Sequence, residues 1–267
     1  MGSWQKGENR IIVKALEVVQ LTKGFGGVKA VDAISFTVYE GETVSIIGPN
    51  GAGKTTVFNL ITQFYTPDAG TIHFYDHDIS RARPYKLPRM GIGRTFQNLR
   101  LFANLTVMEN VHAAALLKHG YNPLSGIFRT KRYRDAEARS LQKAQEVIDF
   151  LHLAGKEGMA ANKLPYGEQR KLELARALSL EPKLMLIDEP AAGMNPKEIQ
   201  DLNATIRAVK EVFKLTIVII EHQMSLVMNI SDRIIVMDFG EKIMEGTPGE
   251  VKKDKRVIEA YLGEELQ

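Results

Sequence analysis

An α/β fold is predicted by three features of this chain. Short apolar runs of strand length recur at Thr43 to Ile47, Leu184 to Ile187, Ile217 to Ile220 and Ile234 to Met237. A helix-period apolar stripe (Ile199, Leu202, Ile206, Val209) separates two of them. A glycine-rich loop follows the first run and opens a helix. The 267 residues set a prior of one or two domains and are enough to bury a sizeable core.

In chain order, residues 11–75 read mostly as strands. Val31, Ile34, Phe36 and Val38 alternate loosely before a turn at Glu40-Gly41, and Ile72 and Phe74 alternate after Asp68-Ala69-Gly70. From about 105 to 175 the pattern turns helical. Thr106-Val107-Met108-Glu109 is a capping box. A break rich in Gly, Pro, Asn and Ser is expected at 120–128. Tyr133, Ala136, Ser140, Ala144, Val147 and Leu151 then mark one face of an amphipathic helix. Thr247 caps a last helix with Pro248 at its first position.

Composition narrows the function classes. Hydrophobic residues at 44% and charged residues at 25% argue against wholesale disorder. The net charge of +3 is too small to argue for a nucleic-acid surface. The absence of cysteine excludes a disulfide scaffold, a thiol nucleophile and cysteine-ligated metal. No apolar run approaches the roughly 18 residues of a spanning helix, and the first ten residues carry no apolar signal region. Membrane association is therefore expected to be peripheral or through a partner.

Gly48-Pro49-Asn50-Gly51-Ala52-Gly53-Lys54-Thr55 matches the phosphate-binding pattern G-x-x-x-x-G-K-[ST] in full, with a strand before it and a helix from Lys54 to about Thr62 after it. Such a loop curls so that consecutive N–H groups point at phosphate oxygens, helped by the helix N-terminus. Lys54 is expected to reach the β- and γ-phosphates and Thr55 to hold Mg²⁺. Asp188-Glu189 ends an apolar strand, and beside such a loop the pair is assigned to the metal (Asp188) and the attacking water (Glu189).

With these motifs in place, the sequence from about 11 to 265 resembles the nucleotide-binding subunits of ABC transporters. Leu164-Pro165-Tyr166-Gly167-Glu168 stands about twenty residues before the acidic strand, where that family carries its L-S-G-G-Q signature. The resemblance implies a P-loop NTPase (RecA-like) core with an N-terminal antiparallel β subdomain and a helical insertion. It implies one ATPase domain over 11–267, a helical subdomain at approximately 98–175, and a flexible segment at 1–10. It also implies that Gln97 senses Mg²⁺ and water, that His222 contacts the γ-phosphate, that Phe25 stacks on adenine, and that Thr56 joins the loop residues at the nucleotide. Gly167 would face a phosphate held by a second ATPase subunit, and Ala191 to Asn195 would cross the interface. Pro165, Tyr166 and Asn195 depart from the family pattern, so the signature presented in trans is altered while the chain's own loop is not.

Arg94-Thr95-Phe96-Gln97, Leu101-Phe102, Pro190-Ala191-Ala192-Gly193-Met194-Asn195-Pro196 and the tail Val257-Ile258-Glu259-Ala260-Tyr261-Leu262-Gly263 look like the ATP-binding subunits of branched-chain amino acid importers. That resemblance implies ATP hydrolysis at the cytoplasmic face of the membrane, driving integral membrane subunits. The alternative is a soluble ATP-gated module that uses the basic clusters at 129–132 and 252–256 on nucleic acid, though such short runs are more often solvated helix faces. No nucleic-acid partner is expected on the first reading.

Overall fold

The computed structural model describes residues 13–119 and 130–262. The expected break at 120–128 and the flexible segment at 1–10 lie outside them.

Two sheets organise the chain. The first is antiparallel, in the order β2-β1-β4-β5, from β1 (Lys14–Phe25), β2 (Val28–Tyr39), β4 (Ala69–Phe74) and β5 (His77–Asp78). The second has six strands in the order β10-β9-β3-β8-β7-β6. It contains β3 (Thr43–Ile47), β6 (Ile92–Arg94), β7 (Leu184–Asp188), β8 (Thr216–Ile220), β9 (Arg233–Asp238) and β10 (Glu241–Gly246). Strands β3, β7 and β8 are buried at every position. That is why the sequence writes them as continuous apolar runs: a parallel strand covered on both faces has no solvent side to mark with polar residues. Only β10 runs antiparallel to its neighbour, through a tight turn after Asp238.

Helix α1 (Lys54–Ile61) buries Val57, Phe58, Leu60 and Ile61, packed in one core with Leu16, Val18 and Phe74 of the antiparallel sheet. The opposite face of the parallel sheet is covered by α5 (Tyr166–Leu178), α6 (Pro196–Phe213) and α7 (Met224–Ile230), with Leu172, Leu178, Ile199, Ile206 and Leu226 in that layer. A single turn, α2 (Leu87–Met90), precedes β6, and between β6 and β7 the chain forms α3 (Val107–His119) and α4 (Lys131–Phe150) ahead of α5. The Thr106 capping box forms: Glu109 accepts from the Thr106 N–H at 2.7 Å, and Thr106 Oγ1 accepts from Glu109 N at 3.1 Å. Thr130 caps α4, and Ala136, Ser140, Ala144, Val147 and Leu151 are all buried, as the helical spacing predicts. Helices α8 (Pro248–Val251) and α9 (Lys255–Leu262) close the described chain; Thr247 and Glu250 form the capping box of α8.

Candidate nucleotide site

The site lies where the parallel strands end. Strand β8 sits between β3 and β7, with Ile46 opposite Ile220 on one side and Asp188 opposite Ile220 on the other. The segments that leave the carboxyl ends of these strands therefore share one edge of the sheet: the loop from Gly48, the pair Asp188-Glu189, and Glu221-His222. In open α/β sheets this edge is where ligands bind.

The loop is shaped by two close approaches. A Cβ on Gly48 would stand 2.0 Å from the Met237 carbonyl oxygen, and one on Gly53 would stand 2.2 Å from that of Ala30. Both residues also adopt positive φ, so glycine is required twice over. The neighbouring backbone fixes the loop further, through a Gly240 N–H bond to the Ala52 carbonyl. Pro49, Asn50 and Gly51 form its outer bend, with Asn50 and Gly51 exposed. The Lys54 side chain is buried and donates to the Gly48 and Pro49 carbonyls at 2.6 and 2.7 Å. Helix α1 starts at Gly53 without a side-chain cap or an acid in its first turn, so its N-terminus keeps its affinity for an anion. Thr55 is exposed and Thr56 half-buried in that turn.

Across from the loop, the Asp188 side chain is buried. Its Oδ2 accepts from Arg94 at 3.0 Å, while the buried Oδ1 has no hydrogen-bond partner. Burial pushes the Asp188 carboxyl above its ordinary value; Arg94 opposes that shift and the adjacent Glu189 adds to it. Glu189 holds a left-handed φ of 44°, a backbone strain of about 1–3 kcal/mol of the kind concentrated at functional sites. Its Oε2 accepts from Gln97 Nε2 at 2.6 Å, and His222 Nδ1 stands 4.0 Å from the same oxygen. Gln97, Glu189 and His222, expected from three distant segments, thus meet at one carboxylate.

Two of the expected residues lie away from this cluster. Phe25 is 44% exposed and packs edge-on against Tyr65 at 5.1 Å, with the Lys23 ammonium 5.5 Å from its ring. Gly167 lines a cavity of about 480 Å³ with Thr95, Pro165, Lys171 and Pro190, to which no residue of the Gly48–Thr55 loop contributes.

Several supporting residues were not singled out from sequence. Arg94 donates to Asn59 and Thr62 of the α1 region as well as to Asp188, and its guanidinium lies 4.8–5.7 Å from the rings of Phe58, Phe64 and Phe96. Glu221, fully buried, accepts from the Ala191, His222 and Gln223 N–H groups and so joins the loops after β7 and β8. Arg170 donates to the Phe96 and Gln97 carbonyls at 3.0 and 2.7 Å. Each makes at least one bond to a residue 30 or more positions away, and local pattern carries no signal of that.

The oxygens fit a hard divalent cation shared with a ligand. Asp188 offers a buried, unpartnered carboxylate oxygen, and Thr55 offers an exposed hydroxyl. Among the described residues no group of three or more His, Cys, Asp or Glu side chains could hold a metal alone. Phosphate oxygens would have to supply the remaining positions, which is the usual arrangement for Mg²⁺.

Comparison with known proteins matches this geometry to a family. Residues 31–192 match the ABC transporter family, and residues 241–266 match the family described as branched-chain amino acid ATP-binding cassette transporter. The chain is 43% identical to BraF of Pseudomonas aeruginosa, a high-affinity branched-chain amino acid transport ATP-binding protein, over 93% of this chain and 98% of that one. It is 42% identical to LivG of Escherichia coli, described in the same words, with the same coverage. A crystal structure of the ADP conformation of an ATP-binding cassette of an ABC transporter superposes with a TM-score of 0.82 at 34% identity, covering 95% of this chain and all of that one. A dimeric bacterial ABC transporter cassette superposes with a TM-score of 0.73 at 25% identity, covering 87% and 98%.

Proposed function

The chain belongs to the ABC transporter ATP-binding family, as an ATPase of the branched-chain amino acid branch, and on that premise we propose that it powers uptake of branched-chain amino acids through integral membrane subunits. The observation that supports the reading is the shared strand edge, from which the Gly48–Thr55 loop, Asp188-Glu189 and Glu221-His222 leave, with Gln97 and His222 brought to the Glu189 carboxylate.

The residues Gly48 to Thr56 wrap the triphosphate, which binds to the N–H groups of all but Pro49 and to the Lys54 ammonium; Phe25, already exposed beside Tyr65, offers a ring face to the base. Asp188, Thr55 and Gln97 would hold Mg²⁺, which supplies neutralisation of phosphate charge when bound. Glu189 orients the attacking water and accepts its proton. Gln97 Nε2 fixes the carboxylate at Oε2, and His222, whose Nδ1 is 4.0 Å from the same oxygen, contacts the terminal phosphate in this reading. Little covalent chemistry is asked of the protein: the site works by positioning and by charge stabilisation.

The second ATPase subunit presents its signature to this loop, and this chain presents Pro165-Tyr166-Gly167 to the partner's. Pro165 brings no hydroxyl, so where the partner ATPase carries an intact signature, the site completed by this chain's signature is the weaker of the two. The helices between β6 and β7, read as a subdomain of approximately 98–175, move with Gln97 and push on the membrane subunits. No helix among the described residues is long and apolar enough to cross a membrane; on the proposed reading it is the membrane subunits that hold the chain at the cytoplasmic face.

The test is Glu189→Gln in the complex with its membrane and ATPase partners. ATP binding is retained and turnover and leucine uptake are lost; unchanged hydrolysis would remove Glu189 from its role. Co-purification with membrane subunits that transport no branched-chain amino acid would overturn the substrate assignment.

A further inference from the structure

The signature helix of this chain also grips its own catalytic segments. Tyr166 begins α5, and its hydroxyl accepts from Arg170 at 3.2 Å (Nε) and 2.8 Å (Nη2). The same hydroxyl donates to the Ala192 carbonyl at 3.3 Å. Arg170 is buried and spends its other donors on the Phe96 and Gln97 carbonyls. Glu173, one turn further, accepts from Phe96 N at 3.2 Å and takes an ion pair from Arg170 at 3.4 Å. Ala192 is itself tied to the catalytic strand end, its N–H donating to the Glu189 carbonyl.

These bonds form one circuit. From Glu189 it runs through Ala192 to the Tyr166 hydroxyl, through Arg170 to the Gln97 backbone, and back to Glu189 through the 2.6 Å Gln97 side-chain bond. We propose that Tyr166 is a positioning residue for its own subunit's Glu189: its hydroxyl, locked by Arg170, holds the loop after Glu189 at a fixed distance from the segment carrying Gln97. A signature-helix residue thereby serves the site in cis as well as facing the partner in trans. A residue without a side-chain hydroxyl at 166 cannot close the circuit.

This inference rests on the reading of Glu189 and Gln97 given above. Its test is Tyr166→Phe in the assembled transporter, alone and on a Glu189→Gln background. Phenylalanine keeps the ring and the Arg170 bond to Gln97 and removes only the hydroxyl. The expected result is a fall in kcat of about fivefold with the KM for ATP unchanged, the size expected for one lost neutral hydrogen bond, here that of the hydroxyl to the Ala192 carbonyl. On the Glu189→Gln background, where whatever turnover remains is that of the partner's site, the same substitution adds no further loss, since its own site is already silent. Wild-type kcat in Tyr166→Phe, a change in KM alone, or a further loss on the Glu189→Gln background would overturn the proposal, the last by assigning the hydroxyl to the partner's site. Residual full turnover in Glu189→Gln itself would instead overturn the reading on which it rests.

Discussion

Replacing Arg94 by alanine tests the energetics of the site without any nucleotide. The Arg94 and Asp188 side chains are 8% and 4% exposed, and their 3.0 Å contact is the only hydrogen bond to the Asp188 carboxylate shown within the described residues. Removing the cation leaves a buried carboxylate uncompensated, for which the loss is about 3–5 kcal/mol. The three rings around the guanidinium lose a cation as well, a smaller effect. In a chain of this size the loss lowers the melting temperature by about 6–20 °C. The pH dependence is diagnostic. The Asp188 carboxyl is already held above its ordinary value by burial, and loss of Arg94 raises it further. A carboxyl raised on folding contributes most favourably when protonated and loses that contribution as pH rises through its folded value. The deficit of Arg94→Ala is therefore larger at about pH 8 than at about pH 5, and Arg94→Ala with Asp188→Asn recovers most of it. Differential scanning calorimetry at the two pH values checks this. A deficit that does not depend on pH, or that the second substitution leaves intact, would refute the argument.

Other outcomes follow from the same geometry. Lys54→Ala loses ATP binding in an equilibrium titration, because its ammonium is the cation held against the loop. Gly53→Ala places a methyl 2.2 Å from the Ala30 carbonyl at a φ of 96°, so the loop cannot keep its shape; nucleotide affinity falls at least tenfold in the same titration, equivalent to about 1.4 kcal/mol. Glu221→Gln turns one of its acceptor oxygens into a donor among three backbone N–H groups, and costs about 1–3 kcal/mol by urea denaturation. Glu109 and Glu250 are both held below their ordinary value, first by a backbone N–H and then by a hydroxyl, of Thr106 and Thr247 respectively. A depressed carboxyl stabilises above its unfolded value of 4.5 and loses that contribution as pH falls through its folded one. The Glu109→Gln, Glu250→Gln variant consequently shows a shallower loss of stability on acidification, read by melts from neutral pH downward.

The strands at the centre were legible because they are buried on both faces, and β3, β7 and β8 coincide with the apolar runs to within a residue. Strand β6 was not foreseen: its Ile92-Gly93-Arg94 has a glycine in the middle and a charged end. Gly93 lies there because Pro182 and Met185 crowd it, at 3.2 and 3.3 Å from where a Cβ would be, which is a tertiary reason. Helix α7 was also missed, since only three of its seven residues are buried and no cap announces it.

What the sequence determined by itself was the chemistry that is local in the chain. The Gly48–Thr55 loop needs its glycines at fixed spacing, and the Asp188-Glu189 pair needs an apolar strand directly before it, so both requirements are written within a few positions. What the tertiary structure decided was which distant groups meet there: Gln97 with Glu189, Arg94 with Asp188, and Tyr166 with Ala192. Strand order sets those encounters. It places β8 between β3 and β7 and β6 beside β7, and it is chosen by packing over the whole sheet, which no short stretch of residues encodes.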